Sequence, residues 1–272
     1  MKKMKKITLY SFILTASVII SCGVTNKKNK GKGINLFTVQ QDRDLGAKVA
    51  AEIDGNPAQY PLLDSIKYKE VYQYVYKVRD NILNSGKVDF KDDFKWRLRI
   101  IKDDNTMNAF CPPGGYIYIY TGILKFMESE DQLAGVMGHE IGHADMRHST
   151  RQMTTMFGVQ LLEQVILGNP NAVTQITNAL LNLKNSRKHE EEADERSVMY
   201  LCPTSYNAAG GAGFFQKIES LGSSQKVPEF LSTHPNSEGR IDHFLNSKIT
   251  MGCAGDKDYK DEYKRMVNSL PK

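Results

Sequence analysis

The segment His139-Glu140-Ile141-Gly142-His143 constrains the possible structure of this chain more than any other feature of the sequence. Residues four apart lie on the same face of a helix, so both imidazoles can bind one metal ion. Glu140 directly follows the first histidine and can then reach a water molecule beside that metal. The alternative is a solvated helix that carries two histidines by chance. The H-E-x-x-H pattern therefore predicts a zinc site on a helix.

The residues around this motif are typical of a buried helix. Residues Glu128 to Met146 read ESEDQLAGVMGHEIGHADM, and the acidic beginning suits the N-terminus of a helix. Apolar residues recur near the helical period, and they are Leu133, Val136, Met137, Ile141 and Ala144. Gly138 and Gly142 each lower helix propensity by about 1 kcal/mol relative to Ala. We therefore expect a strand or the substrate to pass close to the helix at these glycines.

A catalytic zinc site has three protein ligands and one open position, so a third ligand is needed. In one arrangement a further histidine lies six residues after the second histidine of the motif, with a glycine between them. Here Met146 stands at the glycine position and Ser149 at the histidine position, which excludes that arrangement. His148 falls one residue early, on a helix that we expect to continue.

The other arrangement takes a glutamate from a second helix. Residues Ser186 to Asp194 read SRKHEEEAD, in a segment without Gly or Pro through Leu201. Glu190 and Asp194 share a face, which suits Glu190 as a ligand and Asp194 as the group that orients a ligating histidine. The alternative is a solvated acidic helix face. His189 is a competing ligand, but it has no comparable partner.

These motifs, in this order and spacing, resemble those of the HtpX-like and CAAX-prenyl-protease-like zinc metallopeptidases, metallopeptidase family 48. The matching segments lie between about Gln40 and Phe244: HEIGH at 139–143, SRKHEEEAD at 186–194, NAF at 108–110, PGGYIY at 113–118, TGIL at 121–124, STHP at 232–235 and RI at 240–241. The resemblance implies zinc bound by His139, His143 and Glu190, with Glu140 as the catalytic base. Cys111-Pro112 departs from the family pattern, and we expect this to have little bearing on the chemistry.

The chain after the N-terminal region has about 240 residues, enough for one domain with a substantial core. Apolar periodicity predicts helices at Val39 to Ile53 and at Leu62 to Leu83, with Ile66 on the apolar side of the second. Alternation predicts strands at Trp96 to Ile101 and at Tyr116 to Tyr120. These elements fit an α+β, mainly helical zincin domain of the gluzincin type, with a small β-sheet beside the active-site helix. We expect an edge strand above the metal to bind extended substrate by strand addition.

Two more helices are predicted between the metal-binding helices. They cover Met153 to Leu167 and Asn171 to Leu183, separated by Gly168-Asn169-Pro170. Polar residues interrupt their apolar runs, which argues against a membrane span. We expect packed amphipathic helices, with a lid or a dimer surface as the alternative. The metallopeptidase domain is placed at residues 35–250, followed by a C-terminal tail at 251–272.

The first 21 residues have the pattern of a signal peptide and not of a folded element. Four lysines precede Ile7 to Ile20, an apolar run too short for a spanning helix, which needs about 20 residues. The run ends in Ile19-Ile20-Ser21-Cys22, which resembles a bacterial lipobox with Cys22 as the lipidated residue. Residues 22–34 then form a flexible basic tether. The alternative is an ordinary signal peptide with an incidental cysteine. We expect the protein to be anchored to a membrane of the bacterial envelope, on the periplasmic side.

The net charge of +5 belongs to this N-terminal region. Four lysines lie in the leader and four in the tether, so the folded part is near −3. No basic face indicates a nucleic-acid partner. With Cys22 assigned to lipid, Cys111, Cys202 and Cys253 remain, in a compartment that permits disulfides. We expect Cys202 to pair with Cys253, since both follow the catalytic core, and Cys111 to be free, although sequence alone cannot fix connectivity.

The predicted reaction is metal-assisted hydrolysis of peptide bonds in unfolded or misassembled envelope proteins. Glu140 takes a proton from water and passes it to the leaving amine. His234, Arg240 or a tyrosine could stabilise the oxyanion. His234 could instead occupy the open metal position as a latch, or simply be a turn residue before Pro235.

Two other functions remain open on the sequence alone. One is a lipid-anchored chaperone or assembly factor that binds envelope proteins with little or no cleavage. The presence of Glu140 and all three candidate ligands favours the enzyme over this reading. The other is a purely structural zinc site, which is disfavoured because such sites prefer four Cys or His ligands. Nothing in the sequence indicates a pocket for a prenyl group.

Overall fold

A computed structural model describes residues 34–166, 169–221, 229–235 and 239–272. The predicted leader, Cys22 and the tether up to residue 33 lie outside the described residues, as do the last residue of one predicted helix and its Gly168 breaker. Within the described ranges, every helix is too short or too polar to cross a membrane.

The described residues form helices and three strands. The helices are α1 (Val39–Asp54), α2 (Lys69–Leu83), α3 (Thr121–Phe126), α4 (Glu130–Asp145), α5 (His148–Ile166), α6 (Pro170–Leu181), α7 (Arg187–Leu201), α8 (Gly210–Ser220), α9 (Phe230–Thr233), α10 (Arg240–Thr250) and α11 (Lys260–Asn268). The strands are β1 (Arg97–Ile101), β2 (Ala109–Phe110) and β3 (Tyr116–Tyr120). The predicted α+β, mainly helical class with a small sheet is confirmed.

The sheet has the order β1-β3-β2. β1 runs parallel to β3, with Arg97 opposite Tyr116, and β2 runs antiparallel to β3, with Ala109 opposite Ile119. The two predicted strands are confirmed. The two-residue β2 was missed as a strand because it is too short for alternation to register. It lies at the edge of the sheet that the described residues form, next to α4.

The predicted helix at Leu62 to Leu83 is wrong in its first two turns. The segment before α2 runs beside β1, where the Leu63 N–H donates to the carbonyl of Ile100. The Asp64 side chain then accepts from two backbone N–H groups, one of them that of Ile66, and this local turn competes with a helix. Ile66 is 88% exposed and therefore does not belong to the apolar stripe of α2.

α4, which carries the H-E-x-x-H motif, is the centre of the domain. Every residue from Glu130 to Asp145 except Gln132 is buried. A Cβ on Gly138 would lie 2.7 Å from Ser197 Oγ, and one on Gly142 would lie 3.1 Å from the carbonyl oxygen of Ala193. The close neighbour at both glycines is therefore α7. The prediction that a strand or the substrate passes close to the helix there is wrong. The glycines are needed because two helix backbones approach each other closely.

The expectation that α4 continues through His148 is also wrong. α4 ends at Asp145, and Arg147 adopts a left-handed backbone with φ of 57°. The buried Arg147 side chain forms an ion pair with Asp42 of α1 and donates to the carbonyl of Phe37. These contacts to the α1 region hold the turn, after which α5 begins at His148.

The two helices between the metal-binding helices are present as α5 and α6. Ala172 and Ile176 of α6 lie in a second apolar cluster with Val49 and Ile53 of α1. This packing supports the expectation of amphipathic helices held against the domain.

The segment after residue 250 contributes to the same core as the motif helix. Tyr263 and Met266 of α11 and the following Leu270 are buried, and the Tyr263 hydroxyl donates to the carbonyl of Leu124. Residues 251–272, assigned from the sequence to a tail, therefore pack against the domain. The expected disulfide between Cys202 and Cys253 is confirmed, and among the described cysteines Cys111 is the unpaired one.

Candidate metal centre

α4 brings its two histidines together one turn apart. His139 and His143 are 2% and 4% exposed, and their Nε2 atoms are 2.9 Å apart. The rings meet edge to face with their centroids 4.5 Å apart. Both imidazoles therefore direct a nitrogen at one point, as the four-residue spacing predicts.

α7 supplies the candidate third ligand. The Ser186 side chain accepts from the backbone N–H of His189 and begins the helix, which places Glu190 in its first turn. One carboxylate oxygen of the fully buried Glu190 lies 3.4 Å from His139 Nε2, and the other lies 3.3 Å from His143 Nε2. Glu190 can lie this close to both histidines because α7 packs closely against the glycines of α4.

His234, at the end of α9, completes a cluster of four. Its Nδ1 lies 3.2 Å from His139 Nε2 and 3.2 Å from Glu190 Oε1. Among the described residues, His139, His143, Glu190 and His234 are the group whose nitrogen and oxygen atoms all lie within 4.8 Å of one another. His148 and His189, which were weighed from the sequence, lie outside this group.

The chemistry of the donor set fits a metal ion. His139 Nδ1 lies 2.7 Å from Asp194 Oδ1 and donates to it, so Nε2 is the nitrogen that faces the cluster. Glu190 Oε2 is buried and makes no hydrogen bond to any described residue. Two imidazole nitrogens and a carboxylate thus converge in a buried site, and they are the donor set of a catalytic zinc centre.

The electrostatics of the site also suit a cation. Burial alone would lower the pKa of His139, but the carboxylates of Glu190 and Asp194 outweigh it and raise the value to about 9. Burial and the neighbouring His139 lower the pKa of His143 to about 3. Burial works to raise the pKa of Glu190, yet His234 and His139 hold it well below its usual range. The carboxylate is therefore ionised and available as a ligand.

Asp194 and Arg240 form a layer behind the cluster. Arg240 is 3% exposed and donates from Nε and Nη2 to the two oxygens of Asp194, at 2.8 and 2.6 Å. Its Nη1 lies 3.0 Å from Glu190 Oε2. The guanidinium thus hydrogen-bonds to Asp194 and forms an ion pair, without a hydrogen bond, with Glu190.

Glu140 lies beside the cluster and lines a cavity. It is 2% exposed, its Oε1 lies 3.4 Å from His234 Nε2, and that oxygen makes no hydrogen bond to any described residue. Burial raises the pKa of Glu140, against the opposing effect of His234. The cavity is also lined by Phe110 of β2 and by Cys111, so the Cys-Pro departure from the family pattern lies at the site itself.

One contact of the site was missed from the sequence. His143 Nδ1 lies 2.8 Å from Nδ1 of His148, the histidine that was set aside as a ligand because it falls one residue early. The break in the helix at Arg147 brings the two rings together, and the only sequence signal for it is the histidine pair itself.

The fold and this cluster define a zincin-like α+β domain with a candidate metal centre on α4 and α7. Comparison with known families agrees, since the model of peptidase family M48 matches residues 73–248. The chain belongs to peptidase family M48, as the motifs led us to expect.

Three relatives illustrate the match. Metalloprotease YcaL of Escherichia coli is 25% identical over 262 residues, 90% of this chain and 97% of that protein. Mitochondrial metalloendopeptidase OMA1 of Schizosaccharomyces pombe is 32% identical over 179 residues, 64% of this chain and 52% of that protein. A putative beta-barrel assembly-enhancing protease of Vibrio cholerae is 29% identical over 153 residues, 51% of this chain and 32% of that protein. The matched region thus spans about half or less of the last two relatives.

Proposed function

We propose that this protein is a zinc-dependent endopeptidase of the bacterial cell envelope that hydrolyses peptide bonds in unfolded or misassembled proteins. The observation that carries the proposal is the meeting of His139, His143 and Glu190 beside the buried carboxylate of Glu140. Those four residues are a base and a three-ligand set of the kind that leaves one metal position open.

In this proposal His139, His143 and Glu190 hold the zinc ion. Zinc held there would lower the pKa of a bound water molecule towards about 7 and would polarise the scissile carbonyl. Asp194 orients His139, and Arg240 keeps Asp194 and Glu190 in place. The layer behind the ligands fixes their geometry before substrate arrives.

Glu140 is the general base. It accepts the proton of the attacking water and later delivers it to the nitrogen of the departing amine. Burial raises the pKa of this carboxyl above its usual value, which makes it a stronger base than an exposed glutamate.

The substrate is proposed to bind as an added strand along β2. β2 lies next to α4 and contributes Phe110 to the cavity that contains Glu140. An extended peptide paired with this edge would place its backbone beside the metal centre. Unfolded segments offer such a peptide without prior unfolding, which is why we infer an unfolded or misassembled protein as substrate.

His234 is proposed to act as a latch. Its Nδ1 lies 3.2 Å from both His139 Nε2 and Glu190 Oε1. Its other nitrogen, Nε2, lies 3.4 Å from Glu140 Oε1, so the ring stands between the candidate ligands and the base. The cavity beside it is small, about 50 Å³, with room for a few water molecules. The described arrangement therefore suits a closed state, and movement of His234 would admit substrate. Its alternative role is to donate to the oxyanion once it has moved.

The envelope location rests on the N-terminal sequence. The basic leader, the short apolar run and Cys22 at its end support lipid attachment and a periplasmic position. A relative named for beta-barrel assembly agrees with a role at envelope proteins.

The test is cleavage of unfolded casein by the full chain, with zinc content measured in parallel. Cleavage that is lost in Glu140→Gln, while about one zinc per chain remains, is the expected result. Glu195→Gln, an exposed acid on α7, is the control and should cleave like the wild type. A wild type without zinc, or equal cleavage by Glu140→Gln, would overturn the proposal.

A wild type that binds zinc and unfolded protein without cutting would support either a latch or the chaperone alternative. His234→Ala separates these, because removal of a latch should start cleavage and a chaperone should remain inert. If His234→Ala lowers cleavage and leaves zinc affinity unchanged, the latch is wrong and the oxyanion role is favoured.

A further inference from the structure

We propose that His148 is a positioning residue of the metal centre, which accepts a hydrogen bond from His143 Nδ1 and so keeps the lone pair of His143 Nε2 available for the metal. The proposal rests on the function proposed above. The two Nδ1 atoms are 2.8 Å apart, and His148 is fully buried. At this distance one nitrogen donates and the other accepts.

The other nitrogen of His148 decides the direction. His148 Nε2 lies 3.0 Å from Glu192 Oε2. An ionised carboxylate only accepts, so His148 carries its hydrogen on Nε2 and presents a lone pair at Nδ1. His143 must therefore donate from Nδ1, which leaves its Nε2 without a hydrogen.

The opposite arrangement would disable the site. If His148 donated from Nδ1, His143 would carry its hydrogen on Nε2, at the point where it faces His139 and Glu190. A hydrogen there occupies the position that the metal needs.

The fold brings His148 to this place by a specific device. On a continued helix, residues five apart point about 140° away from each other, because each residue turns the helix by about 100°. The left-handed backbone at Arg147 breaks the helix and returns His148 to the His143 ring. His189 stacks on the His148 ring at 4.3 Å with the planes 9° apart, but it takes no part in either hydrogen bond of that ring.

His139 and His143 are thus oriented by different chemistry. His139 donates to a carboxylate that is itself held by Arg240. His143 donates to a neutral imidazole, and the carboxylate of Glu192 stands one ring further away. Both ligands have a fixed tautomer, but the support of His143 depends on a chain of two hydrogen bonds.

The experiment is a titration of the metal-free full chain with Zn²⁺ against a chromophoric chelator, with the Co²⁺ visible spectrum as a second readout. His148→Ala should weaken zinc binding by about 10- to 100-fold and change the Co²⁺ spectrum. His148→Asn should bind within about threefold of the wild type, because the carboxamide oxygen takes the place of the accepting Nδ1. Glu192→Ala should also weaken zinc binding. This variant provides the test if His148→Ala does not fold.

His189→Ala is the matched control, since it removes the stacked ring and leaves both hydrogen bonds. It should bind zinc within about threefold of the wild type. Unchanged affinity in His148→Ala would overturn the proposal. So would a His148→Asn variant as weak as His148→Ala, or an equal loss in His189→Ala, because ring packing would then explain the effect. A wild type that binds no zinc would instead refute the proposed function, which the titration shows separately.

Discussion

Asp194 Oδ1 lies 2.7 Å from Nδ1 of His139, and this contact joins the two helices that carry the candidate metal ligands. Because Asp194 is four residues after Glu190, one face of α7 supplies both a ligand and the group that orients another ligand. The carboxylate is fully buried. Burial works to raise its pKa, but Arg240 and His139 lower it below the usual value, so Asp194 is ionised.

Asp194→Asn is expected to weaken zinc binding by about 10- to 100-fold. The amide keeps the size of the side chain but can turn an N–H towards His139 and favour the wrong tautomer. Zinc titration of the metal-free chain measures the change. Glu195→Gln, the exposed neighbour on α7, is the control and should bind like the wild type. Equal affinity in both variants would show that Asp194 does not orient the ligand.

Arg240→Ala is expected to destabilise the protein by about 3–5 kcal/mol, because it leaves two buried carboxylates without their partner. Urea unfolding of the metal-free chain measures this loss. Arg265→Ala removes an exposed ion pair on α11 and should change the free energy of unfolding by less than about 0.5 kcal/mol. If Arg240→Ala keeps its stability and loses only cleavage, Arg240 acts on the transition state instead.

The motif helix, the second metal helix and the candidate ligands His139, His143 and Glu190 could be predicted from sequence because each depends on local spacing along a helix. His234 was singled out from the resemblance of STHP at 232–235 to the family pattern. The prediction of Glu190 and Asp194 required only the inference that a third ligand had to come from a second helix. The predicted pairing of Cys202 with Cys253 also agrees with the structure, although the only reason for it was that both cysteines follow the catalytic core.

What could not be predicted depends on contacts between distant segments. The helix predicted at Leu62 to Leu83 begins only at Lys69, because Leu63 bonds to Ile100 in β1, which apolar periodicity cannot register. The end of α4 is set by the contact of Arg147 with Asp42, more than a hundred residues earlier. For the same reason the sequence missed the contact of His148 with His143.

Gly138→Ala is expected to destabilise the protein by about 1–3 kcal/mol through overpacking. The added Cβ would meet Ser197 Oγ at 2.7 Å and the Ser197 Cα at 3.2 Å, and this outweighs the gain in helix propensity of about 1 kcal/mol. Zinc affinity should fall as well, since the spacing of α4 and α7 sets the reach of Glu190.

Gly213→Ala on α8 provides the control for this substitution. Its Cβ would meet only the side chain of Gln132, at 3.0 Å, and that flexible group can move away. Thermal unfolding should show no loss for this variant. A Gly138→Ala protein as stable as Gly213→Ala would mean that the two helices can separate without cost.

The disulfide between Cys202 and Cys253 is expected to stabilise the fold without shaping the metal centre. It closes a loop with a sequence separation of 51 residues, for which the chain-entropy estimate is about 4 kcal/mol. Cys202 ends α7, and the 1.5 Å rise per residue places it about 18 Å from Glu190. The Cys202→Ala/Cys253→Ala variant should therefore unfold at lower urea and bind zinc like the wild type. Reductant should destabilise the wild type by the same amount and leave the variant unchanged. A variant that loses zinc affinity while folded would show that the disulfide holds α7 in register with α4.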